Sequence, residues 1–207
     1  MVRKSKQEAA ATRAALLQAA ARVFEARGVA NAGLAEIAAA AGVTRGAVYW
    51  HFKNKPDLFF ALYESVYATF AEMVLKDLEQ DHPRPLVQLE RLCTQLFGDF
   101  VLDTEKQKLL SVFFLNCDYS GELAEVRARQ NARKGKSVEM FYAYFQRARE
   151  RGHLAEDAEP RVLALSLTSY FTGLTYEFLR NPEVFTLGEY VPFVFRHFFR
   201  GIARAAD

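Results

Sequence analysis

Nowhere along its 207 residues does this chain alternate apolar and polar residues with period two over a useful length. Apolar residues recur instead at helical spacing, and glycine and proline fall at punctuation points between the striped segments. That pattern leaves no candidate for a sheet and dictates an all-α fold. Leu16, Leu17, Ala20, Val23 and Phe24 make the first stripe, which Ser5 and Glu8 open in the spacing of a capping box and Gly28 stops. A second, short helix from about Leu34 to Ala41 buries Leu34, Ile37 and Ala38 and ends at Gly42. Thr44 caps a third, from about Arg45 to Phe52. Asn54 caps a long fourth helix that tolerates Pro56 in its first turn and holds Leu58, Phe59, Leu62, Val66, Phe70, Met73, Val74 and Leu78 on one face, until "DHPRP" at 81–85 breaks it. Further helices are predicted at roughly 85–102, 105–117, 120–151, 158–180 and 188–205.

Half of the residues are hydrophobic and 14% aromatic, enough for a packed core. The net charge of +2 conceals an asymmetry: residues 1–55 carry nine Lys/Arg against three Glu, a balance of +6, and the remainder carries −4. A basic head on a mildly acidic body implies that the head alone meets a polyanion. Cys93 and Cys117, the only cysteines, form no CxxC and read as free thiols of a reducing compartment. The basic start is followed by no apolar signal region, and no apolar run approaches the roughly 20 residues of a membrane span, so a soluble, cytoplasmic protein is expected.

The segment "LAEIAAAAGVTRGAVYWHF" has the parts of a helix-turn-helix, whose second helix enters the major groove of DNA. Ala38 to Ala41 allow a close helix crossing, Gly42 makes the turn, and Val43, Val48 and Phe52 anchor the second helix inward. Thr44, Arg45, Gly46, Tyr49 and His51 are left outside. Arg45 can fork onto a guanine edge, the helix N-terminus can receive a phosphate, and the small Gly46 and Ala47 let the backbone approach the bases.

Residues 12 to 55, through "TRAALLQAAARVFEARGV" and "LAEIAAAAGVTRGAVYWHFKNKPDLF", resemble the DNA-binding domain of the tetracycline-repressor (TetR) family. The segments "VRKSKQEAAATR", "NCDYSGELAEV" and "YFTGLTYEFLRNPEVFTL" look like its multidrug-efflux, acriflavine-resistance type branch. The resemblance implies base or phosphate contacts by Thr44 and Arg45, and phosphate or sugar contacts by Tyr49, Trp50, His51 and Lys55. Arg3 and Lys4 are an arm whose contact with DNA stays open. It also implies a dimer on double-stranded operator DNA, and an effector that shifts the fourth helix. Gly33 stands where the family usually places Thr or Ser, so the hydroxyl that would touch phosphate there is missing.

The body has no GxSxG, HExxH, P-loop or paired Cys/His spacing, so no enzyme, metal or cofactor is expected. It has aromatics on three successive helices: Phe113, Phe114, Phe141, Tyr142, Phe145, Tyr170, Phe171 and Tyr176. Stripes of this kind are ordinary core, or they line an apolar pocket with a few polar anchors, for which Asn116, Thr172 and Glu177 are candidates. By resemblance Leu110, Phe114 and Thr172 lie near the pocket positions of efflux-type relatives, and Phe70 on the fourth helix is placed to report occupancy. The last helix is apolar on two faces, through Tyr190, Phe193, Val194, Phe195, Phe198, Phe199 and Ile202, with His197 among them as a packing or interface residue. Burying both faces takes a second copy in an isologous dimer.

The expected organisation is therefore a three-helix DNA-binding domain at 1–55, joined by the long helix to a larger ligand-binding and dimerisation bundle at 56–207. The expected function is a homodimeric repressor, of a multidrug efflux operon, that leaves its operator on binding a small hydrophobic or aromatic compound. Two alternatives stay open: a sensor of an endogenous metabolite controlling metabolic genes, and a small-molecule-binding enzyme or carrier. Operator sequence, target genes and the identity of the effector are not readable.

Overall fold

Gly28 and Gly42 hold φ of +74° and +68°, the left-handed conformation that ends a helix, and they set off two short helices from a long first one. The structure, a computed structural model, describes residues 2–183 and 187–204, with side chains at 6–183 and 190–204. Among these residues the helices are α1 (Val2–Arg27), α2 (Leu34–Ala40), α3 (Arg45–His51), α4 (Lys55–Leu78), α5 (Pro85–Leu102), α6 (Thr104–Phe114), α7 (Ala124–Glu150), α8 (Pro160–Arg180) and α9 (Leu187–Arg200), with a single 3-10 turn at Gly121–Leu123 before α7. The expected all-α class holds. The one extended pairing among the described residues is an isolated antiparallel bridge between Leu154 and Ala203. One local expectation fails: α1 opens at Val2, so Ser5 lies inside the helix instead of capping it. The side chains of Arg3 and Lys4 lie outside the described residues.

The described chain packs as two compact units, and the first of them runs past residue 55. The first comprises Met1–Tyr67 and Lys108–Asn131. Leu16, Phe24, Ile37, Val48, Leu58 and Phe59 are fully buried in it, as is Val112 from α6. Phe59 is the hub: Phe24 meets it edge-on with ring centroids 5.5 Å apart, and Phe113 lies 5.0 Å away. Leu123 and Val126 join the same core. The unit extends past residue 55 because α4 brings the large Leu58, Phe59 and Phe60, which a three-helix head alone would leave wet. Burying each such side chain contributes about 1.5–3 kcal/mol.

The second unit comprises Ala68–Gln107 and Ala132–Asp207. Its core is aromatic: Phe97 touches Phe100, Phe171 and Phe195 at 5.6, 6.2 and 6.0 Å between centroids. Here the last turn of α4 has free carbonyls, as every helix end does, and side chains supply the donors. Tyr144 donates to the Val74 carbonyl (3.1 Å) and to Asp77 Oδ2 (2.7 Å). Arg147 donates to the Leu78 carbonyl, and Gln88 to that of Asp77. This explains how "DHPRP" can stop the helix within packed structure. By length and composition alone α4 is apolar enough to cross a bilayer. Leu58, Phe59, Phe60 and Leu62 of this helix are buried in the first unit and Val74 in the second, while Leu75 is 48% exposed.

Candidate nucleic-acid interface and effector residues

Within the first unit α3 has an inner and an outer side. Val48 is fully buried and Phe52, its C-cap, is 2% exposed. The opposite side presents Tyr49 at 48% and Trp50 at 73% exposure, values no core aromatic tolerates. Thr44 caps the helix as expected, its hydroxyl accepting the Ala47 N–H at 3.3 Å. Arg45 and Tyr49 lie one turn apart: the guanidinium sits 5.5 Å from the ring centroid and Nη2 donates to the phenolic oxygen at 3.1 Å. A Cβ added at Gly46 would meet only the Thr44 hydroxyl, at 3.8 Å, so the helix surface is open there.

Trp50 meets the edge of His51 at 4.5 Å, and both line a shallow groove of about 480 Å³ with Ala47 of α3 and with Lys6, Ala9 and Thr12 of α1. Partial burial, and secondarily the field of Arg13, hold the His51 imidazole below its usual pKa. Gly33 caps α2 with extended backbone and no side-chain bond, which leaves the missing hydroxyl without a local substitute. Thr44, Arg45, Gly46, Tyr49, Trp50 and His51 are thus brought together on or beside one surface.

Lys55 is placed differently from the exposed phosphate ligand expected of it. Its side chain is only 15% exposed, and its ammonium donates to the Ala30 carbonyl at 3.0 Å and pairs with Glu122 at 2.9 Å. The first residue of α4 is spent holding the α1–α2 loop and the turn before α7. Sequence reasoning missed Glu122 and Arg129 entirely. The available signal was weak: opposite charges at the starts of α4 (Lys55, Asp57) and of α7 and its preceding turn (Arg129, Glu122), which mean something only once these segments are known to pack together.

The residues expected to bind an effector are divided between the two units. Phe113 is 6% exposed and packs on Phe59 and Tyr63 in the first unit's core, with Leu110 and Phe114 at the margin of the same cluster. Phe113 is thus core of the head. Asn116, expected as a buried polar anchor, is exposed just beyond α6. In the second unit Phe141 joins Phe70 edge-on at 6.1 Å and stacks on Phe171 at 6.0 Å. Thr172 and Tyr176 follow on α8, half-buried, and the Thr172 hydroxyl donates to the Thr168 carbonyl of its own helix at 2.8 Å. Glu177 accepts from Asn181 at 3.4 Å.

Of the residues expected at a subunit interface, Tyr190 and Phe193 are 55% and 50% exposed, and His197, one turn on, is exposed as well. Val162 and Leu165 on α8 are exposed to 56% and 51%. Val194 and Phe198 are half-buried within the protomer: Tyr170 donates to the Val194 carbonyl at 3.3 Å and stacks on the Phe198 ring at 5.7 Å.

Comparison with known proteins places these features in a family. Residues 16–62 match the model for bacterial regulatory proteins of the tetR family, and residues 84–200 match that for the C-terminal region of MAATS-type transcriptional repressors. The chain is 35% identical over 188 residues to the HTH-type transcriptional regulator TtgR of Pseudomonas putida, covering 88% of this chain and 87% of that protein. Its structure superposes on that of NalD, described as the secondary repressor of the MexAB-OprM multidrug efflux pump in Pseudomonas aeruginosa, with a TM-score of 0.83, 32% identity, and coverage of 97% of this chain and 100% of that one. A complex of SmeT with triclosan gives a TM-score of 0.86 at 28% identity, covering 95% of this chain and 93% of that one. A capped recognition helix with its aromatics and arginine outward, and family matches over both ends of the chain, make this protein a member of the TetR family of bacterial transcriptional regulators.

Proposed function

We propose that the protein is a ligand-responsive repressor of a multidrug efflux operon, acting in the cytoplasm as a homodimer on double-stranded operator DNA. The observation that carries DNA binding is the exposed side of α3, where Thr44 caps the helix, Arg45 is braced on Tyr49 and Trp50 is 73% exposed. Arg45 reads base edges, while Tyr49, Trp50, His51 and the α3 N-terminus grip backbone. Tyr190, Phe193 and His197 with Val162 and Leu165 are the dimer surface, because exposed apolar side chains at helical spacing on two helices match a self-complementary interface.

The effector is a small hydrophobic or aromatic compound, taken by the aromatic residues around Phe70, Phe141 and Phe171, where Thr172 and Tyr176 add polar atoms. NalD's description as an efflux-pump repressor and the triclosan complex of SmeT support this choice over a metabolite sensor. The test is fluorescence anisotropy on DNA from upstream of the protein's own gene and of any neighbouring pump genes, with and without triclosan. Specific binding at moderate salt that triclosan or another hydrophobic drug weakens is the expected outcome. Binding no tighter than to random DNA would overturn the repressor reading, and release by fatty-acyl compounds alone would move it to metabolite sensing.

A further inference from the structure

We propose that Glu122 and Arg129, at and just before the start of α7, are positioning residues for operator binding: they hold the turn that follows the recognition helix. This rests on the repressor reading given above. The turn runs from Phe52, the C-cap of α3, through Asn54, whose side chain accepts the Asp57 N–H at 2.8 Å, into α4. Three α4 residues beyond it are gripped from the α7 side. Lys55 pairs with Glu122 at 2.9 Å. Asp57 faces Arg129 at 3.8 Å while its other oxygen accepts the Lys53 N–H at 3.1 Å, so one carboxylate ties the turn to α7. The Arg129 guanidinium also lies over the Phe60 ring, 3.6 Å from its centroid.

Lys55 extends the brace further. Its second bond, to the Ala30 carbonyl, reaches the α1–α2 loop just ahead of the Gly33 cap of α2. Both helices of the helix-turn-helix are therefore referenced to the same short segment, residues 122–129. A surface ion pair contributes little by itself, and Glu122 is 56% exposed. The pair matters here by fixing the 15% exposed Lys55 side chain between the Ala30 carbonyl and the turn before α7. The Arg129–Asp57 pair is long and half-exposed, and there the close contact with Phe60 dominates. Recognition groups work only when their support holds them to within a fraction of an ångström, and this segment supplies that support without touching DNA.

A rival account makes opposite predictions. If Glu122 merely competed with phosphate for Lys55, its removal would free a cation: affinity would rise and the salt dependence would steepen by about one unit of slope per protomer. Positioning predicts weaker specific binding at unchanged slope, since the same phosphates are met. The experiment titrates the parent chain, Glu122→Gln, Glu122→Asp and Arg129→Met against operator and random DNA over a range of salt, with circular dichroism confirming the fold. Glu122→Gln and Arg129→Met should each lose about fivefold in operator affinity, with random-DNA binding and salt slope unchanged. Glu122→Asp, which keeps the charge, should recover most of the loss. Parent-like operator affinity in both Glu122→Gln and Arg129→Met overturns the proposal, as does tighter, more salt-sensitive binding by Glu122→Gln. If Glu122→Gln fails to fold, Arg129→Met, on a half-exposed side chain, decides by the same criterion. A parent that prefers no operator overturns the repressor reading instead.

Discussion

Arg45 and Tyr49 form one unit on the exposed side of α3, joined by a 3.1 Å hydrogen bond from guanidinium to phenol. The bond lowers the number of rotamers Arg45 must give up when it meets a base, so part of the ordering cost falls before binding. Arg45→Ala should cost about 1–3 kcal/mol of operator affinity and relax preference at one base position per half-site. Tyr49→Phe keeps the ring but loses the tether and the hydroxyl that would meet the DNA backbone. It should cost about 1 kcal/mol, less than Arg45→Ala, and leave base preference unchanged. Anisotropy titrations on operators substituted one base pair at a time check both. Unaltered base preference in Arg45→Ala would remove it from base readout.

Phe113 distinguishes core from pocket. Packed against Phe59 and Tyr63 in the first unit, it should cost about 3–5 kcal/mol of stability when cut to Ala. Thermal unfolding should show the loss, while effector affinity in the folded fraction stays near the parent's. Near-parent stability with lost effector binding would return Phe113 to the pocket.

The two thiols should resist modification. Cys93 is wholly buried, which pushes its pKa well up, and the nearby Asp77 and Glu90 carboxylates add to this. Burial raises Cys117 to about 11, with a hydrogen bond to Tyr119 opposing and Asp118 reinforcing the shift. Only the thiolate reacts, and at about pH 8 a thiol of pKa 11 is about one-thousandth ionised. Maleimide labelling of the native protein should therefore be slow, accelerate as pH climbs toward 11, and go to completion on unfolding. Fast labelling of either thiol at neutral pH would contradict its raised pKa.

The face of α3 was legible in the sequence because its signals are local. Gly42 turns the chain, Thr44 caps, Val48 and Phe52 recur at helical spacing, and whatever they do not use faces out. Phe113 and Lys55 were not legible, since their places depend on partners remote in the chain. An aromatic at helical spacing reads the same whether it meets Phe59 or a ligand. A lysine beside a basic helix reads as a phosphate contact until Ala30 and Glu122 are seen to hold it. The α9 stripe was readable as apolar on two faces, but not as divided between Phe198 turned to Tyr170 and Phe193 turned outward.

That division sharpens the test of assembly. Phe193 is half-exposed in the protomer, so Phe193→Asp leaves the isolated fold intact and places an unpaired charge where a second copy would seat. Sedimentation should show a folded monomer. Phe198→Asp strikes the stack on Tyr170 as well and should lower thermal stability along with association. A folded dimer in Phe193→Asp would take this face out of the interface.

Signalling is tested at Phe70. Its ring meets Phe141 edge-on at 6.1 Å, Phe141 stacks on Phe171, and Phe171 lies 4.9 Å from Phe195, so a compound entering among these rings must displace or repack them. Binding should show a negative ΔCp, because apolar surface leaves water. Linkage then requires that a compound weakening operator binding by some factor bind the operator complex more weakly by the same factor. Phe70 sits on α4, the helix that begins at Lys55, and it lies outside the set of residues on the DNA face. Phe70→Ala should leave operator affinity near the parent value while the compound's effect on it shrinks by about 0.5–2 kcal/mol of coupling. Calorimetry with triclosan and operator titration on the same samples measure the two quantities separately. Parent-like coupling in Phe70→Ala would show that the signal takes another route, and equal loss of operator affinity with and without compound would make Phe70 a stability residue.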